Sequence, residues 1–498
     1  MRLRHVGPLT LFAAGLLALL PRAASAEGLT AEEALARAAA KNPTLKAAIL
    51  DTEAAAQGVE AEEGARDPIF SASVTGSYTE SSSSGSTGAA GLPNTKALAT
   101  KAALRYTTDI GTSLELGTSA DASWMTSQAA SLRNEPSYSA LAYVSARQPL
   151  LRGAGTDSQL SARDQAVTSA NAADLTQQAT ASDTARAVLA AYWELWYAEQ
   201  ALGVQKAALV TATQQLEDAR TRQSELGTAS KADVLQFESS LASIEVSLAQ
   251  AETQRTTRAL ELGRLLGMEP QSAYGLEAES DLPSFGRVAS ASTLAARAEE
   301  QSPELAALRA NLEATRVRVA AAEDSDQPRL DLFVTGSAGM LWADQADAGI
   351  GLSGGRPAFT VTGGIELELP IGGGRYSGDA ARARTQLSAA ETRYQERELA
   401  VATQVGTLQE TARVAESQVA LAKESSRIAA ELAEAERQRL ILGTTTSADV
   451  VRAEQTSREA ELRSLRARVD AIKTNYELEH LTGSLLSRFR AVFSTRAS

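Results

Sequence analysis

Two aspartates, Asp233 and Asp449, each lie six residues beyond a glycine, in a motif that recurs. Leu226-Gly227-Thr228 is followed by Asp233-Val234, and Leu442-Gly443-Thr444 by Asp449-Val450. Carboxylates attract cations and repel one another, which is electrostatic rather than covalent chemistry. Arg452 stands three residues beyond Asp449, where acid and base can pair along a helix. Little else in the chain could react. Cysteine is absent, and His5 and His480 are the two histidines. That removes thiolate nucleophiles and Cys-ligated metals and leaves too few imidazoles for a multi-His site. Gly372-Gly373-Gly374 lacks the Lys-Ser/Thr of a phosphate loop and reads as a turn. The scattered helical carboxylates read as solvated faces. We expect no catalytic residue, no cofactor site and no metal site.

The elements around the two breaks are long. A helical stretch from about residue 157 to 225 is free of proline and holds one glycine, Gly203. The chain breaks at Gly227 and returns as helix to about residue 266. A second long helix covers about 377–441, breaks at Gly443 and resumes to about Gly483. At 1.5 Å per residue each long helix approaches about 100 Å, far beyond an ordinary globular helix. Such a helix needs a lateral partner throughout. Val188, Leu195, Leu202, Leu209 and Leu216 recur every seven residues, with Ala191, Ala198, Ala212 and Ala219 between them. The returning helix carries Leu462, Leu465, Val469, Ile472 and Tyr476. These are coiled-coil seams, and alanine permits close approach.

The plan occurs twice. Asn42-Pro43-Thr44-Leu45 matches Ser302-Pro303-Glu304-Leu305, and Asp67-Pro68 matches Gln327-Pro328; both proline pairs are 260 residues apart. Gln148-Pro149-Leu150-Leu151-Arg152-Gly153 matches Leu369-Pro370-Ile371-Gly372-Gly373-Gly374. Each half then opens with a helix, about 29–63 and about 292–322. Thr30 and Glu33 have capping-box spacing at the first. The helix before the strands and the one after the break together match the length of the long helix, so two short helices can stack beside it.

The segments at about 68–149, 329–338 and 358–369 read as strands. Phe70, Ala72, Val74 and Tyr78 alternate with Ser71, Ser73, Thr75 and Ser77. Phe359, Val361, Ile365, Leu367 and Leu369 alternate with polar or small residues. One face can meet lipid and the other water; a half-buried soluble sheet has the same period. Leu104–Thr107 and Thr112–Ser119 suggest an extra hairpin in the first half. Polar segments near Ser81–Asn94 and Ala343–Gly355 read as exposed loops.

Composition agrees. Aromatics are 4% and hydrophobics 44%, and the net charge of -13 disfavours a nucleic-acid partner. The first residues read as a secretory signal: Arg2 and Arg4, an apolar run from Val6 to Leu20, then Ala24-Ser25-Ala26 with cleavage after Ala26. No later apolar run reaches the ~20 residues of a membrane helix.

With its duplication, the Asn42-Pro43-Thr44-Leu45 and Gln148-to-Gly153 motifs and the turns at Gly227 and Gly443, the chain resembles the TolC-like outer-membrane efflux proteins. The resemblance implies a mainly α fold with a membrane β-barrel. A trimeric helical barrel would be continuous with a shared 12-stranded outer-membrane β-barrel, four strands per subunit. It implies domains at 1–26 (signal peptide), 27–284 (first repeat), 285–485 (second repeat) and 486–498 (C-terminal tail). It further implies a homotrimer in outer-membrane lipid, a periplasmic adaptor protein and an inner-membrane transporter of RND or ABC type. The role would be passive conduction in tripartite efflux or type I secretion. Adaptor docking carries over to Leu226, Gly227, Thr228, Ala229 and Ser230, and to Leu442, Gly443, Thr444, Thr445 and Thr446. Asp233, Asp449 and Arg452 become periplasmic gate candidates, the aspartates recurring as rings in a trimer. The family often has a second acid where Arg452 stands and a base where Thr445 stands. A secreted structural or adhesive coiled-coil protein is the alternative.

Overall fold

A computed structural model describes residues 28–80, 94–126, 137–226, 229–279, 281–283, 285–286, 288–342, 356–369, 371–372 and 374–489. The expected signal segment lies outside the described residues, as do most of the two polar loops, Gly227 and Thr228. The first half runs α1 (Ala31–Lys41), α2 (Pro43–Gly64), β1 (Ile69–Glu80), β2 (Asn94–Thr107), β3 (Ser113–Thr126), β4 (Ser137–Pro149), α3 (Gly155–Thr221) and α4 (Lys231–Leu265). A single turn, α5 (Pro270–Ala273), leads to the second half. There α6 (Ala291–Gln301), α7 (Pro303–Ser325), β5 (Arg329–Trp342), β6 (Arg356–Glu368), α8 (Gly374–Ile441) and α9 (Ser447–Leu481) follow, with a short α10 (Ser484–Arg488) at the end. The expected tail from 486 thus begins inside α10, whose Leu485 and following Phe489 are buried.

The capping box at Thr30 and Glu33 forms, with both reciprocal hydrogen bonds. The single helices expected at 29–63 and 292–322 are each split in two. Asn42 and Ser302 adopt extended backbone because Pro43 and Pro303 exclude the helical region for the residue before them. Each proline then opens the next helix, where its missing N–H costs nothing.

These breaks let short helices stack end to end. Asn42 donates through Nδ2 to the Leu265 carbonyl at 2.7 Å, tying the start of α2 to the end of α4. Gly267 follows α4 with φ of +68°, and a Cβ there would lie 2.4 Å from the Lys41 carbonyl. The second half repeats this: Gly483 has φ of +71°, and a Cβ would lie 2.0 Å from the Gln301 carbonyl. Each pair of short helices then lies along one long helix, α3 of 67 residues or α8 of 68.

The seam buries Val188, Leu195, Ala198, Ala212, Leu216 and Ala219, while Leu202 and Leu209 are half-buried. The largest core lies midway along α3. Tyr192 and Trp193 are enclosed by Leu35 of α1, Leu262 of α4, Leu266, Leu276, Ile472 and Tyr476 of α9, and Leu485. A parallel bridge between Leu29 and Ala278 adds a short β element. Among the described residues no helix is long and apolar enough to cross a membrane.

Among the described residues the six strands form one antiparallel sheet in the order β1-β2-β3-β4-β5-β6. The resemblance implied four strands per chain, and the sheet has six. The difference is the β2–β3 hairpin, which contains the segments at Leu104–Thr107 and Thr112–Ser119.

Candidate functional site

The helical breaks form two neighbouring tips. The first tip closes α3 with a wide five-residue π turn, Arg222–Leu226, and α4 starts after Ser230. Gly227 and Thr228 lie outside the described residues, as does the Leu226 side chain. At the second tip, α8 ends at Ile441 and Gly443 takes φ of +72°, a left-handed conformation that glycine adopts without strain. A Cβ at Gly443 would meet no atom within 4 Å. Leu442 and Thr444 are exposed, and the Thr444 amide donates to the Arg439 carbonyl at 2.9 Å.

Both aspartates sit at the third position of their helices and cap them. The Ser230 hydroxyl accepts from the Asp233 amide, while Asp233 Oδ2 accepts from the Ser230 amide at 2.9 Å and its hydroxyl at 2.7 Å. The Thr446 hydroxyl accepts from the Asp449 amide at 3.2 Å and donates to Asp449 Oδ2 at 2.7 Å. A hydroxyl at the N-cap satisfies an orphan amide, and a carboxylate in the first turn complements the helix dipole. These bonds hold both carboxyls below the usual range. For Asp233 the Ser447 hydroxyl contributes most, followed by Ser230; for Asp449 it is the Thr446 hydroxyl.

Asp233 also reaches across to the other tip, where its Oδ1 accepts from the buried Ser447 hydroxyl at 2.6 Å. Beneath this link, Leu216, Ala219, Val234 and Phe237 form a small core with Leu440 and Val451 of the second hairpin. The two tips are therefore one packed unit. Arg452 comes to 3.9 Å from Asp449, but its side chain is 79% exposed, and a pair so solvated contributes little.

Sequence reasoning missed the buttress behind the second tip. Glu436 accepts from Thr445 at 2.8 Å and from Arg439 at 2.6 Å, and Arg439 donates onward to the Thr444 carbonyl at 3.1 Å. The three-residue Glu436–Arg439 spacing was the available signal. Glu454 is buried one turn further in, bonded to Gln215 of α3 and 3.1 Å from Arg437, and burial pushes its carboxyl up. Ser447 carried no local signal, because its partner Asp233 comes from the other hairpin, and the core around Phe237 is completed by Leu440 and Val451 of that second hairpin. Along the long helices, fully buried Ser182 is 2.8 Å from His480 Nδ1 and joins α3 to α9.

At the opposite end of the long helices, the sheet has two unlike faces. Register places Phe70, Leu104, Leu116 and Val144 in one row across β1 to β4. Val74, Tyr78, Leu98, Tyr106, Leu114 and Trp124 share that face, as do Leu332, Val334, Phe359, Val361, Ile365 and Leu367. These side chains are exposed in the single chain. Trp124 packs edge-on against Tyr138 near one rim, and Tyr106 and Phe70 lie toward the other. An apolar band with aromatics at its rims is the outer surface of a membrane barrel. The other face is polar: Ser73, Thr75 and Ser77 share it with a charged ladder. Glu115 accepts from Tyr143 at 2.6 Å and Arg105 at 2.9 Å, and Arg147 bridges Asp331 at 2.8 Å and Glu366 at 2.6 Å.

A family model describing outer membrane efflux proteins matches residues 34–268 and 294–484. The chain belongs to the outer membrane efflux protein family. It is thus an outer-membrane channel protein whose long helices form the periplasmic extension. Solved structures share the fold at low identity. The Campylobacter jejuni CmeC outer membrane channel aligns with a TM-score of 0.72 at 15% identity, over 93% of this chain and 89% of that one. The outer membrane protein VceC from Vibrio cholerae aligns with 0.68 at 17%, over 91% and 96%. The Neisseria gonorrhoeae MtrE outer membrane channel, in its open state, aligns with 0.64 at 17%, over 91% and 89%. No curated protein sequence matches the chain.

Proposed function

We propose that this chain is the outer-membrane conduit of a tripartite export system and works as a homotrimer. An inner-membrane transporter of RND or ABC type drives export through a periplasmic adaptor, and the channel conducts passively. One observation carries the reading: a sheet with an exposed apolar band continues directly into helices about 100 Å long, whose far ends carry the capped starts of α4 and α9 linked through Asp233 and Ser447. The tandem plan, with Gly267 and Gly483 at equivalent helix junctions, supports repeat boundaries at 27–284 and 285–485.

The adaptor docks on Leu226 to Ser230 and Leu442 to Thr446. Exposure at Leu442 and the open space beside Gly443 support this. A Cβ at Gly443 meets no atom within 4 Å, so the Gly443→Trp side chain sets out into open space. Gly443→Ala shares the backbone strain without the bulk. Export should fall to background in Gly443→Trp and persist in Gly443→Ala, with trimers intact in both. Equal loss in both variants, or loss of the trimer in Gly443→Trp, refutes docking.

Asp233 and Asp449 form the gate rings, with Arg452 beside the second. Both aspartates are ionised at neutral pH, as a cation-attracting ring requires, and their hydrogen bonds lower their pKa further. Asp449→Ala should weaken cation block in single-channel recordings; unchanged block would remove Asp449 from the constriction.

A further inference from the structure

The β2–β3 hairpin is a built part of the junction between sheet and tube. It pairs with β1 through twelve residues and continues into β4 without a register break. Its turn, 108–112, is the single strand-to-strand turn on the helical side of the sheet, since the other strand ends there connect to helices. That turn is fixed on two sides. Asp109 pairs with Arg66, at the α2–β1 junction, at 3.2 Å. The Ile110 carbonyl accepts from the Gly155 amide at 3.3 Å and from Gln148 at 3.2 Å, at the β4–α3 junction. Gly111, with φ of +90°, packs so closely that a Cβ would lie 2.7 Å from the Gly153 carbonyl. Both faces run through the hairpin unbroken. Leu98, Leu104, Leu114 and Leu116 continue the apolar band, and Lys101, Arg105 and Glu115 continue the charged ladder.

The sheet leaves two open edges, β1 and β6. Unpaired edges with an apolar face cannot persist in lipid, where backbone groups have no water to bond. The strands alternate in direction and their number is even, so β1 and β6 are antiparallel. They have 12 and 13 residues. The β6 edge of a second copy therefore fits the β1 edge in direction and length.

We propose that three copies close an 18-stranded barrel, β1 of each pairing with β6 of the next, and that the inserted hairpin sets an outlet wide enough for polymer-sized solutes. The proposal rests on the homotrimer reading. At about 4.8 Å between strands and about 40° tilt, 18 strands give a backbone diameter of about 36 Å, against about 24 Å for 12 strands. Next to the sheet each chain runs α2, α3, α7 and α8 side by side, so three copies place twelve helices around the tube there. At about 9 Å between axes they form a ring about 34 Å across. The 18-stranded barrel thus matches the tube it caps. Barrels of about this strand number keep an aqueous channel.

Electron microscopy of the full-length protein in lipid nanodiscs tests this, beside a variant lacking residues 94–126. That deletion joins β1 to β4 on the side of the long loops and keeps their antiparallel order. Full-length particles should be three-fold with 18 strands, and the deletion variant should be three-fold with 12 and a barrel about two-thirds as wide. In planar bilayers, polyethylene glycols added on the outer side should enter the full-length barrel at larger size than the deleted one. If the deletion variant does not assemble, the strand count and polymer cut-off of the full-length protein decide alone. A three-fold particle with 12 barrel strands, or one with β1 and β6 unpaired, overturns the wide barrel and leaves the trimer standing. A particle of other symmetry overturns the homotrimer itself.

Discussion

Replacing Asp233 by alanine should unfasten both helix tips at once. The carboxylate closes the capping box of α4 and accepts the Ser447 hydroxyl from the other hairpin. Ser230 still caps the first turn in the variant, so the loss there is the reciprocal carboxylate half of the box and its interaction with the helix dipole, about 0.3–1 kcal/mol. Ser447 is 5% exposed, so its hydroxyl is left buried without an acceptor, at a further cost of about 1–3 kcal/mol. The total of about 3 kcal/mol predicts roughly 100-fold faster opening-limited amide exchange at the tips. Hydrogen exchange read by mass spectrometry over 222–237 and 442–453 measures it, with the α3 core around Tyr192 as an unchanged reference. Adding Ser447→Ala should recover part of the loss, because it removes the stranded hydroxyl. Asp233→Asn keeps an oxygen for Ser447 and should be milder than alanine. The pH dependence has a definite sign. Asp233 has a lowered pKa in the folded chain, so its contribution is present above the ordinary carboxylate value of 3.8 and is lost as pH falls through the folded value. The reasoning fails if Asp233→Ala changes ion conductance while tip exchange stays at the wild-type rate. The carboxylate would then act by charge alone.

Glu199 supplies the opposite pH response. Burial pushes its carboxyl up to about 7, although the Ala278 amide donates to it at 3.0 Å and Arg255 lies 3.7 Å away. An acid raised on folding stabilises below its unfolded value of 4.5, and that contribution is lost as pH rises toward 7. Glu199→Gln should flatten the melting temperature between pH 5 and about 7.5, where wild type falls, by up to about 3 kcal/mol of stability. A parallel decline in both proteins would exonerate Glu199. Gly483→Ala should destabilise the junction of α9 with α6 by at least about 1–3 kcal/mol through its left-handed backbone, before the clash with Gln301 is counted. An unchanged melting temperature would show that the helix ends are not tightly stacked.

The sequence alone determined the elements whose information is local or periodic. The seven-residue seam on α3 and the alternation of Phe70, Val74 and Tyr78 state which face is apolar, because side chains repeat with the period of the backbone. The Ser230–Asp233 and Thr446–Asp449 spacings already encode capping boxes, whose partners are three residues apart. The helix splits at Asn42 and Ser302 were also written there, in the following prolines, but the helical pattern on both sides concealed them. Strand number was only half legible. Within residues 94–126 the pieces at Leu104–Thr107 and Thr112–Ser119 show strand-like pattern on their own, but the alanine-rich stretch before them is weakly apolar, and the full length of both strands rests on register with β1 and β4. Tertiary structure alone decided the cross-links. Asp233 meets Ser447 across 214 residues, and Phe237 packs against Leu440 and Val451, because two hairpins folded from separate halves come side by side. No periodicity reports such a contact. It depends on how the helices lie against one another, and that is fixed by the summed packing of seams along their whole length.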